Sequence, residues 1–149
     1  MKRILICGAT GFIGRNLLDF YYNNKKYKIR ATHFNRPAIP GYSDVEWAHC
    51  DLRDPKQVSK VLKGVDIVMQ FAATTTGAKD IVSKPYIHVT DNAIMNSYLL
   101  REAFEQNVEH FIFPSCTIMY QKSDSALKEC DYSPSDDILP FYYGAGHTK

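Results

Sequence analysis

The sequence predicts an α/β protein built on a doubly wound parallel sheet. Short apolar runs alternate with helical patterns along the chain, as in parallel sheets whose strands are joined by right-handed crossovers. The segment 65–71 is mostly apolar, as expected for a strand that is covered on both faces. A glycine-rich turn at 8–14 follows the first apolar run. Ligands of such folds bind outside the carboxyl ends of the strands, so we expect one shared site there.

The glycine-rich turn, Gly8-Ala9-Thr10-Gly11-Phe12-Ile13-Gly14, joins a strand at 4–7 to a helix. Glycines let the backbone turn tightly and approach a phosphate closely, and free N–H groups at a helix start attract anions. The spacing is GxxGxxG rather than GxGxxG. Apolar residues at helical spacing predict an amphipathic helix after the turn: they are Phe12, Ile13, Leu17, Leu18 and Tyr21. The turn predicts a dinucleotide pyrophosphate site made by Gly8, Thr10, Gly11, Phe12, Ile13 and Gly14, with a ligand-free βα turn as the alternative.

The remaining elements follow in chain order. We predict four further strands, at 28–33, 45–49, 65–71 and 110–113. Asp54 as N-cap and Pro55 at the first helical position predict a helix that continues to about Leu62. We expect a polar loop at 74–84 and a long helix at about 85–106. The pattern after the last strand weakens into loop.

Composition and charge narrow the class of protein. The chain has 149 residues, of which 45% are hydrophobic and 23% charged, as in ordinary globular proteins. The net charge of +2 gives no argument for binding nucleic acid or a membrane surface. No apolar run approaches the roughly 20 residues that span a bilayer. Widely spaced cysteines favour free thiols in a reducing cytoplasm, and the histidines show no metal-binding spacing.

The segment after the second strand lacks the carboxylate that usually binds the ribose of NAD. No Asp or Glu lies between Ile29 and Ser43, and the candidates there are His33, Asn35 and Arg36. A guanidinium offers a planar fork to phosphate, so Arg36 favours NADP over NAD. The alternative is that Arg36 is an ordinary solvated loop residue.

The ends of the third and fourth strands supply further candidates. We expect Asp51 to accept a hydrogen bond from the adenine amino group and Leu52 to pack on the ring; the alternative is that Asp51 only caps a turn. Phe71, Ala72 and Ala73 end the fourth strand. The small side chains of the two alanines would let the backbone pass close to a cofactor, although core packing alone explains two alanines equally well.

Together these motifs resemble the N-terminal portion of the extended short-chain dehydrogenase/reductase family, of the NAD(P)-dependent nucleotide-sugar epimerase/dehydratase type. The matching segments are 8–14, 51–52, 71–73, 84–85, 91–92 and 111–120. The resemblance implies one Rossmann-like domain over 1–149, truncated near the active-site helix and without the C-terminal substrate lobe. It also implies NADP or NAD as cofactor, with Asn92 among its contacts, a UDP- or GDP-linked sugar as substrate, and a homo-oligomer.

The reaction that the resemblance implies is transient hydride transfer, leading to epimerisation, dehydration or reduction of the sugar. A non-catalytic NAD(P)-binding sensor or structural module is the alternative. In the family, a Ser or Thr four residues before the Tyr of a VYG-like motif contacts the reacting sugar oxygen. Here Cys116 stands four residues before Tyr120, and a thiol is a poor donor. We expect Ser115 or Thr117 to supply the hydroxyl, and favour Thr117.

The family's catalytic Tyr and Lys form a YxxxK pair on one helix, in which the Lys lowers the pKa of the phenol. Residues four apart share a helix face. The candidate is Tyr143, but the residue four positions later is His147, and Lys149 is six positions later. Either the turn is irregular and Lys149 serves, or His147 replaces the lysine, or the site is altered. Tyr143 and Lys149 are the predicted pair.

Overall fold

A computed structural model describes residues 1–75, 77–84, 86–135 and 137–148. The chain divides into two compact units. The first unit is Met1–Ala73 with Ile94–Phe113, and the second is Thr74–Ala93 with Pro114–Lys149. The expectation of one domain over 1–149 stays a prediction.

The first unit contains a five-stranded sheet in which every pairing is parallel. The strands are β1 Arg3–Cys7, β2 Lys28–His33, β3 Val45–His49, β4 Ile67–Gln70 and β5 His110–Ile112. Their spatial order is β3-β2-β1-β4-β5, so the direction of winding reverses between β1 and β4. The predicted doubly wound parallel sheet is therefore confirmed, and the reversal marks the position where such sheets bind ligands.

Three helices join or follow the strands of this sheet: α1 Phe12–Asn24, α2 Pro55–Leu62 and α4 Ile87–Glu105. The predicted cap of α2 is confirmed, because the Asp54 carboxylate accepts hydrogen bonds from the backbone N–H of Lys56 at 2.8 Å and of Gln57 at 3.4 Å. These are two of the N–H groups that a helix start leaves without partners. Helix α4 continues across the boundary of the two units.

Apolar side chains cover both faces of the sheet. Leu5 belongs to one buried cluster and its neighbours Ile4 and Ile6 to another, because successive strand residues point to opposite faces. Leu18 of α1 is fully buried. Phe12 and Ile13, in the first turn of α1, are 86% and 52% exposed.

The cysteines of the first unit are free thiols within the core. Cys7 and Cys50 are buried and form no disulfide. Burial raises the pKa of the Cys50 thiol to about 11 and raises the pKa of Cys7 as well. Both side chains therefore stay protonated at neutral pH and behave as small apolar residues.

The second unit is built from short helices. It contains α3 Ala78–Ser83 and the start of α4, then single 3₁₀ turns and the helix α5 Tyr143–His147. The 3₁₀ turns are Thr117–Met119, Glu129–Asp131 and Pro140–Tyr142. Two loop predictions are corrected here, since α3 lies within the expected loop at 74–84 and α5 within the weak C-terminal pattern. Among the described residues, no helix is long and apolar enough to cross a membrane.

Candidate functional site

Two glycines of the turn at 8–14 are required by the fold itself. Gly8 has a φ of +72°, and a Cβ there would lie 2.7 Å from the Cα of Ala72. A Cβ on Gly14 would lie only 2.2 Å from the carbonyl oxygen of Gly8. The first glycine therefore makes the tight turn, and the last brings α1 against it.

Gly11 differs from the other two glycines because the fold excludes a side chain there less strictly. Its φ is −81°, and a Cβ there would meet only the Gly8 oxygen, at 3.2 Å. Gly11 is the N-cap of α1 but provides no side-chain cap, and the first turn of α1 carries no acidic residue. The N–H groups at the start of α1 are thus left without a side-chain cap, and we call them the open cradle. This geometry fits a dinucleotide pyrophosphate.

The end of β2 lies beside this turn. The Arg36 guanidinium donates to the carbonyl oxygen of Thr10 at 3.3 Å, and the Gly8 N–H donates to the hydroxyl of Thr32 at 3.1 Å. His33 donates through Nδ1 to the carbonyl oxygen of Arg36 at 3.1 Å, and Asn35 is exposed. The structure therefore brings Thr10 and Arg36 together.

Asp51 caps a turn after β3. Its carboxylate accepts from the backbone N–H of Arg53 at 3.0 Å, and it forms a two-pronged ion pair with that guanidinium at 3.0 and 2.9 Å. The bonds from Arg53 hold the pKa of Asp51 below its usual value. The Leu52 side chain is 4% exposed and lies in the core. The expected contacts of both residues with adenine stay predictions.

The end of β4 is held by a residue that was not identified from the sequence. Gln70 is fully buried, donates to the carbonyl oxygen of Ala72 at 3.0 Å and accepts from the Ala72 N–H at 3.2 Å. It also donates to the Asn96 side chain at 3.0 Å. These bonds hold Ala72 against Gly8, while Phe71 packs on the core and Ala73 is exposed. An amide within an otherwise apolar strand is the signal that would have found Gln70.

In the second unit, the Asn92 side chain fixes the start of the loop at Thr74 by hydrogen bonds. Its buried side chain accepts from the Thr74 N–H at 2.8 Å and donates to the Thr74 carbonyl oxygen at 3.1 Å. It also donates to the carbonyl oxygen of His88 at 2.8 Å. Both amide hydrogens and the amide oxygen are engaged with backbone, so the structure shows a supporting role. The cofactor contact expected of Asn92 stays a prediction.

The predicted hydroxyl residues line a cavity of about 620 Å³ in the second unit. Ser115, Cys116 and Thr117 share its wall with polar side chains such as Gln121 and Lys128. The Ser115 hydroxyl donates to the sulfur of Met119, whereas Thr117 begins a 3₁₀ turn and is exposed. The structure thus shows Thr117 at the surface of a polar cavity.

Helix α5 places Tyr143 against His147. Their ring centroids are 4.5 Å apart in an edge-to-face arrangement, and Tyr143 is 60% exposed. Glycines let α5 pack closely within its unit: a Cβ on Gly144 would lie 2.7 Å from the Val89 side chain, and one on Gly146 2.8 Å from that of Ile138. The predicted partner Lys149 lies outside the described residues.

The predicted residues thus fall into two groups, and the expectation that they share one site stays a prediction. The first unit holds the glycine turn with Arg36, the end of β3, and Phe71 to Ala73, while the second holds Asn92, the hydroxyl residues and Tyr143. No group of His, Cys, Asp and Glu within the described part of the chain could hold a metal ion.

Comparison with known proteins identifies a family match. The model of the family described as "NAD dependent epimerase/dehydratase family" matches residues 4–142. A UDP-glucose 4-epimerase of Halalkalibacterium halodurans is 26% identical over 119 residues, which cover 78% of this chain and 35% of the relative. A GDP-L-fucose synthase of Azorhizobium caulinodans is 26% identical over 133 residues, covering 87% and 38%. The chain therefore spans little more than a third of the length of these curated relatives.

Solved structures share the fold. The UDP-glucose 4-epimerase of Thermus thermophilus in complex with NAD superimposes with a TM-score of 0.79 at 20% identity, covering 98% of this chain and 48% of that one. A GDP-mannoheptose C4 reductase of Campylobacter jejuni with NADP bound gives 0.77 at 20% identity, covering 99% and 43%. At these identities the likeness shows the fold alone.

Proposed function

The chain belongs to the NAD dependent epimerase/dehydratase family, and on that premise we propose that it binds NADP or NAD at the glycine turn. In this proposal the chain is the cofactor-binding part of an enzyme that acts on a nucleotide-linked sugar. The observation that carries the proposal is the open cradle at Gly11. The N–H groups there have no side-chain cap, and an added Cβ at Gly11 would meet only the Gly8 oxygen, at 3.2 Å. The N–H groups of the first turn of α1 hold the pyrophosphate there.

The side chains of the second unit supply the acid–base chemistry in this proposal. When bound, the nicotinamide supplies a site that accepts and returns a hydride. Tyr143 takes the proton from the reacting sugar hydroxyl, and Thr117 or Ser115 donates a hydrogen bond to the sugar oxygen. Tyr143 needs a cationic neighbour to act near neutral pH, and the candidates are Lys149 and His147.

The proposed substrate is a UDP- or GDP-linked sugar, supported by the relatives, whose names are UDP-glucose 4-epimerase and GDP-L-fucose synthase. Epimerisation, dehydration and reduction all fit these residues. We propose a cytoplasmic location, which the free thiols support. We also propose a homo-oligomer, supported by exposed apolar side chains on α4, among them Leu100 and Phe104, which are 53% and 86% exposed.

A non-catalytic NAD(P)-binding module is the second candidate. Two observations favour it: Cys116 stands where the family has a hydroxyl, and His147 stands where the family has a lysine. Such a module binds the dinucleotide through the same turn but has no use for Tyr143.

Binding and turnover separate the two candidates. The chain is titrated with NADH and NADPH while the nicotinamide fluorescence is followed, and both proposals predict saturable binding. The oxidised dinucleotides are then mixed with UDP-glucose or GDP-mannose, and the sugar products are resolved by chromatography. Product that disappears in Tyr143→Phe but persists in the control Tyr132→Phe supports the enzyme. Product formation that depends on Tyr143 decides for the enzyme, and absence of dinucleotide binding contradicts both proposals.

A further inference from the structure

The connection between α1 and β2 carries a local excess of positive charge that the small net charge of the chain conceals. No Asp or Glu occurs from Phe20 to Ser43. Lys25, Lys26 and Lys28 lie in this stretch and are exposed, and they form no ion pair with a carboxylate that the structure describes. Their charges therefore add at one corner of the first unit.

Carboxylates on or beside the neighbouring strands already have partners. The Lys28 N–H donates to the carbonyl oxygen of Lys2 at 3.0 Å, and the Lys2 side chain pairs with Glu109. Glu46 of β3 pairs with Arg30 at 2.9 Å. These two carboxylates are thus engaged by other cations and do not neutralise the corner.

Lys25 has a backbone conformation that favours glycine. It is the C-cap of α1, with a φ of +50°, and glycine is the usual residue in this left-handed position. A cation at a helix C-terminus also interacts favourably with the helix dipole. A glycine variant at this position separates that local effect from a role in binding.

Aromatic rings lie beside the lysines. Phe20 is 60% exposed, and its ring centroid is 5.1 Å from that of the half-buried Tyr21, edge to face. The Tyr21 ring lies 5.6 Å from that of Tyr27, and the Lys26 ammonium lies 5.9 Å from the Tyr27 ring centroid. One phenyl ring is therefore presented to solvent next to the lysines and is supported by packed tyrosines.

These residues form one surface, which we call the lysine–aromatic corner: Phe20, Tyr21, Lys25, Lys26, Tyr27 and Lys28. We propose that this corner binds the surface of an anionic lipid bilayer, with its lysines at the headgroups and Phe20 in the interface. An anionic leaflet attracts clustered lysines, and aromatic side chains favour the boundary between headgroups and acyl chains. A single exposed ring offers no platform for successive bases, which disfavours single-stranded nucleic acid.

The lysine–aromatic corner lies at the end of the sheet opposite the glycine turn. Helix α1 leads from the carboxyl end of β1 back to the start of β2, and Lys28 is the register partner of Arg3, the first residue of β1. The 13 residues of α1 span about 20 Å. A chain bound to a bilayer through this corner keeps its glycine turn free, so the inference goes beyond the proposed function and does not depend on it.

Sedimentation with lipid vesicles tests the proposal. Vesicles of phosphatidylcholine alone are compared with vesicles of equal parts phosphatidylcholine and phosphatidylserine. We expect partition onto the anionic vesicles to be at least about tenfold stronger. It should fall between about 0.1 and 0.5 M salt as the lysines are screened. Equal partition onto both vesicles, or none onto either, overturns the proposal.

Charge variants then test the lysines. Lys25→Gly supplies the residue that the φ favours, so it should melt no lower than the parent chain while binding anionic vesicles about fivefold more weakly, the share of one lysine at a charged surface. Replacing Lys25, Lys26 and Lys28 together by Gln should weaken binding roughly 100-fold. A triple variant that binds like the parent overturns the proposal. Circular dichroism verifies that each variant is folded.

The matched control removes the same charge from another surface. Lys56, Lys60 and Lys63 are exposed in or next to α2, whose buried residues belong to a different core cluster from those of α1. Replacing these three by Gln should leave vesicle binding within about threefold of the parent, because their charges lie beyond a Debye length from a bilayer at the corner. Equal losses in the two triple variants would show that overall charge governs binding and would contradict the assignment to the corner.

Two further measurements test the aromatic ring and the class of partner. Phe20→Ser should weaken binding to anionic vesicles at least about threefold, because the ring no longer enters the interface; unchanged binding would remove Phe20 from the surface. A labelled oligothymidylate is titrated in parallel. Tighter binding of the oligonucleotide than of the anionic vesicles would overturn the choice of a bilayer as partner.

Discussion

The substitution Gly11→Ala separates what the fold needs from what a ligand needs. The added Cβ would meet only the Gly8 oxygen, at 3.2 Å, and the φ of −81° suits alanine. Replacing glycine at a compatible φ stabilises a protein by about 0.4–1 kcal/mol through the unfolded chain, and the tight contact offsets part of this. The free energy of unfolding should therefore change by less than about 1 kcal/mol, or by roughly 2–4 °C in Tm for a chain of this size.

We expect the same methyl group to crowd a pyrophosphate that is bound at the open cradle. A hydrogen bond to a charged group contributes about 1.5–3 kcal/mol, so loss of one such bond should weaken dinucleotide binding by roughly 10- to 150-fold. Gly14→Ala is the contrasting variant. Its Cβ would lie 2.2 Å from the Gly8 oxygen, and we expect a loss of at least about 3 kcal/mol of stability.

The assay pairs thermal unfolding with a fluorescence titration by NADPH and NADH. The reasoning predicts that Gly11→Ala melts like the parent chain but binds at least about tenfold more weakly. A folded Gly11→Ala variant that binds both dinucleotides with the affinity of the parent would refute the assignment of the cradle.

Four further outcomes follow from the structure. Gln70→Leu removes the hydrogen bonds that hold Ala72 against Gly8. It should lower the free energy of unfolding in urea by about 2 kcal/mol and weaken NADPH binding. Unchanged NADPH binding would contradict a role of Gln70 in supporting the site. Asp54→Ala removes the cap of α2 and should cost about 1 kcal/mol, while Asp44→Ala in a loop should cost less; equal costs would contradict the cap. The bonds to Arg53 lower the folded-state pKa of Asp51, so the contribution of Asp51 to stability is present above the unfolded pKa of about 3.9 and is lost as the pH falls through the lower folded value. Asp51→Asn should therefore flatten the acid side of a curve of stability against pH. An unaltered curve would contradict the pairing of Asp51 with Arg53. Phe104→Glu, on the exposed face of α4, should lower the mass measured by light scattering if this face joins two copies, and an unchanged mass would place the contact elsewhere.

The sheet could be predicted because its signals are local and strong. The strands β2 and β3 were predicted at their observed bounds, and Asp54 caps α2 as expected. Successive side chains of β1 point alternately into the two clusters of the core. A strand that is covered on both faces therefore needs apolar residues at every position, which makes it recognisable in the sequence.

The parts that were missed depend on contacts that no periodic pattern encodes. Helix α3 has six residues, too few turns for a helical repeat to stand out from a polar loop. Phe12 and Ile13 follow the helical pattern of α1 yet lie exposed at its first turn. The roles of Gln70 and Asn92 depend on which backbone groups lie beside them, and only the three-dimensional structure gives these.

The most direct test of the central claim is a map of the dinucleotide site by NMR. Amide ¹H–¹⁵N spectra of the chain are recorded during titration with NADPH. The proposal predicts that the largest shifts occur at the backbone amides of 8–14, with Arg36 among the affected residues, and that they saturate together. Absence of shifts, or shifts confined to residues outside the turn and the end of β2, would contradict the proposal that this chain binds a dinucleotide through its glycine turn.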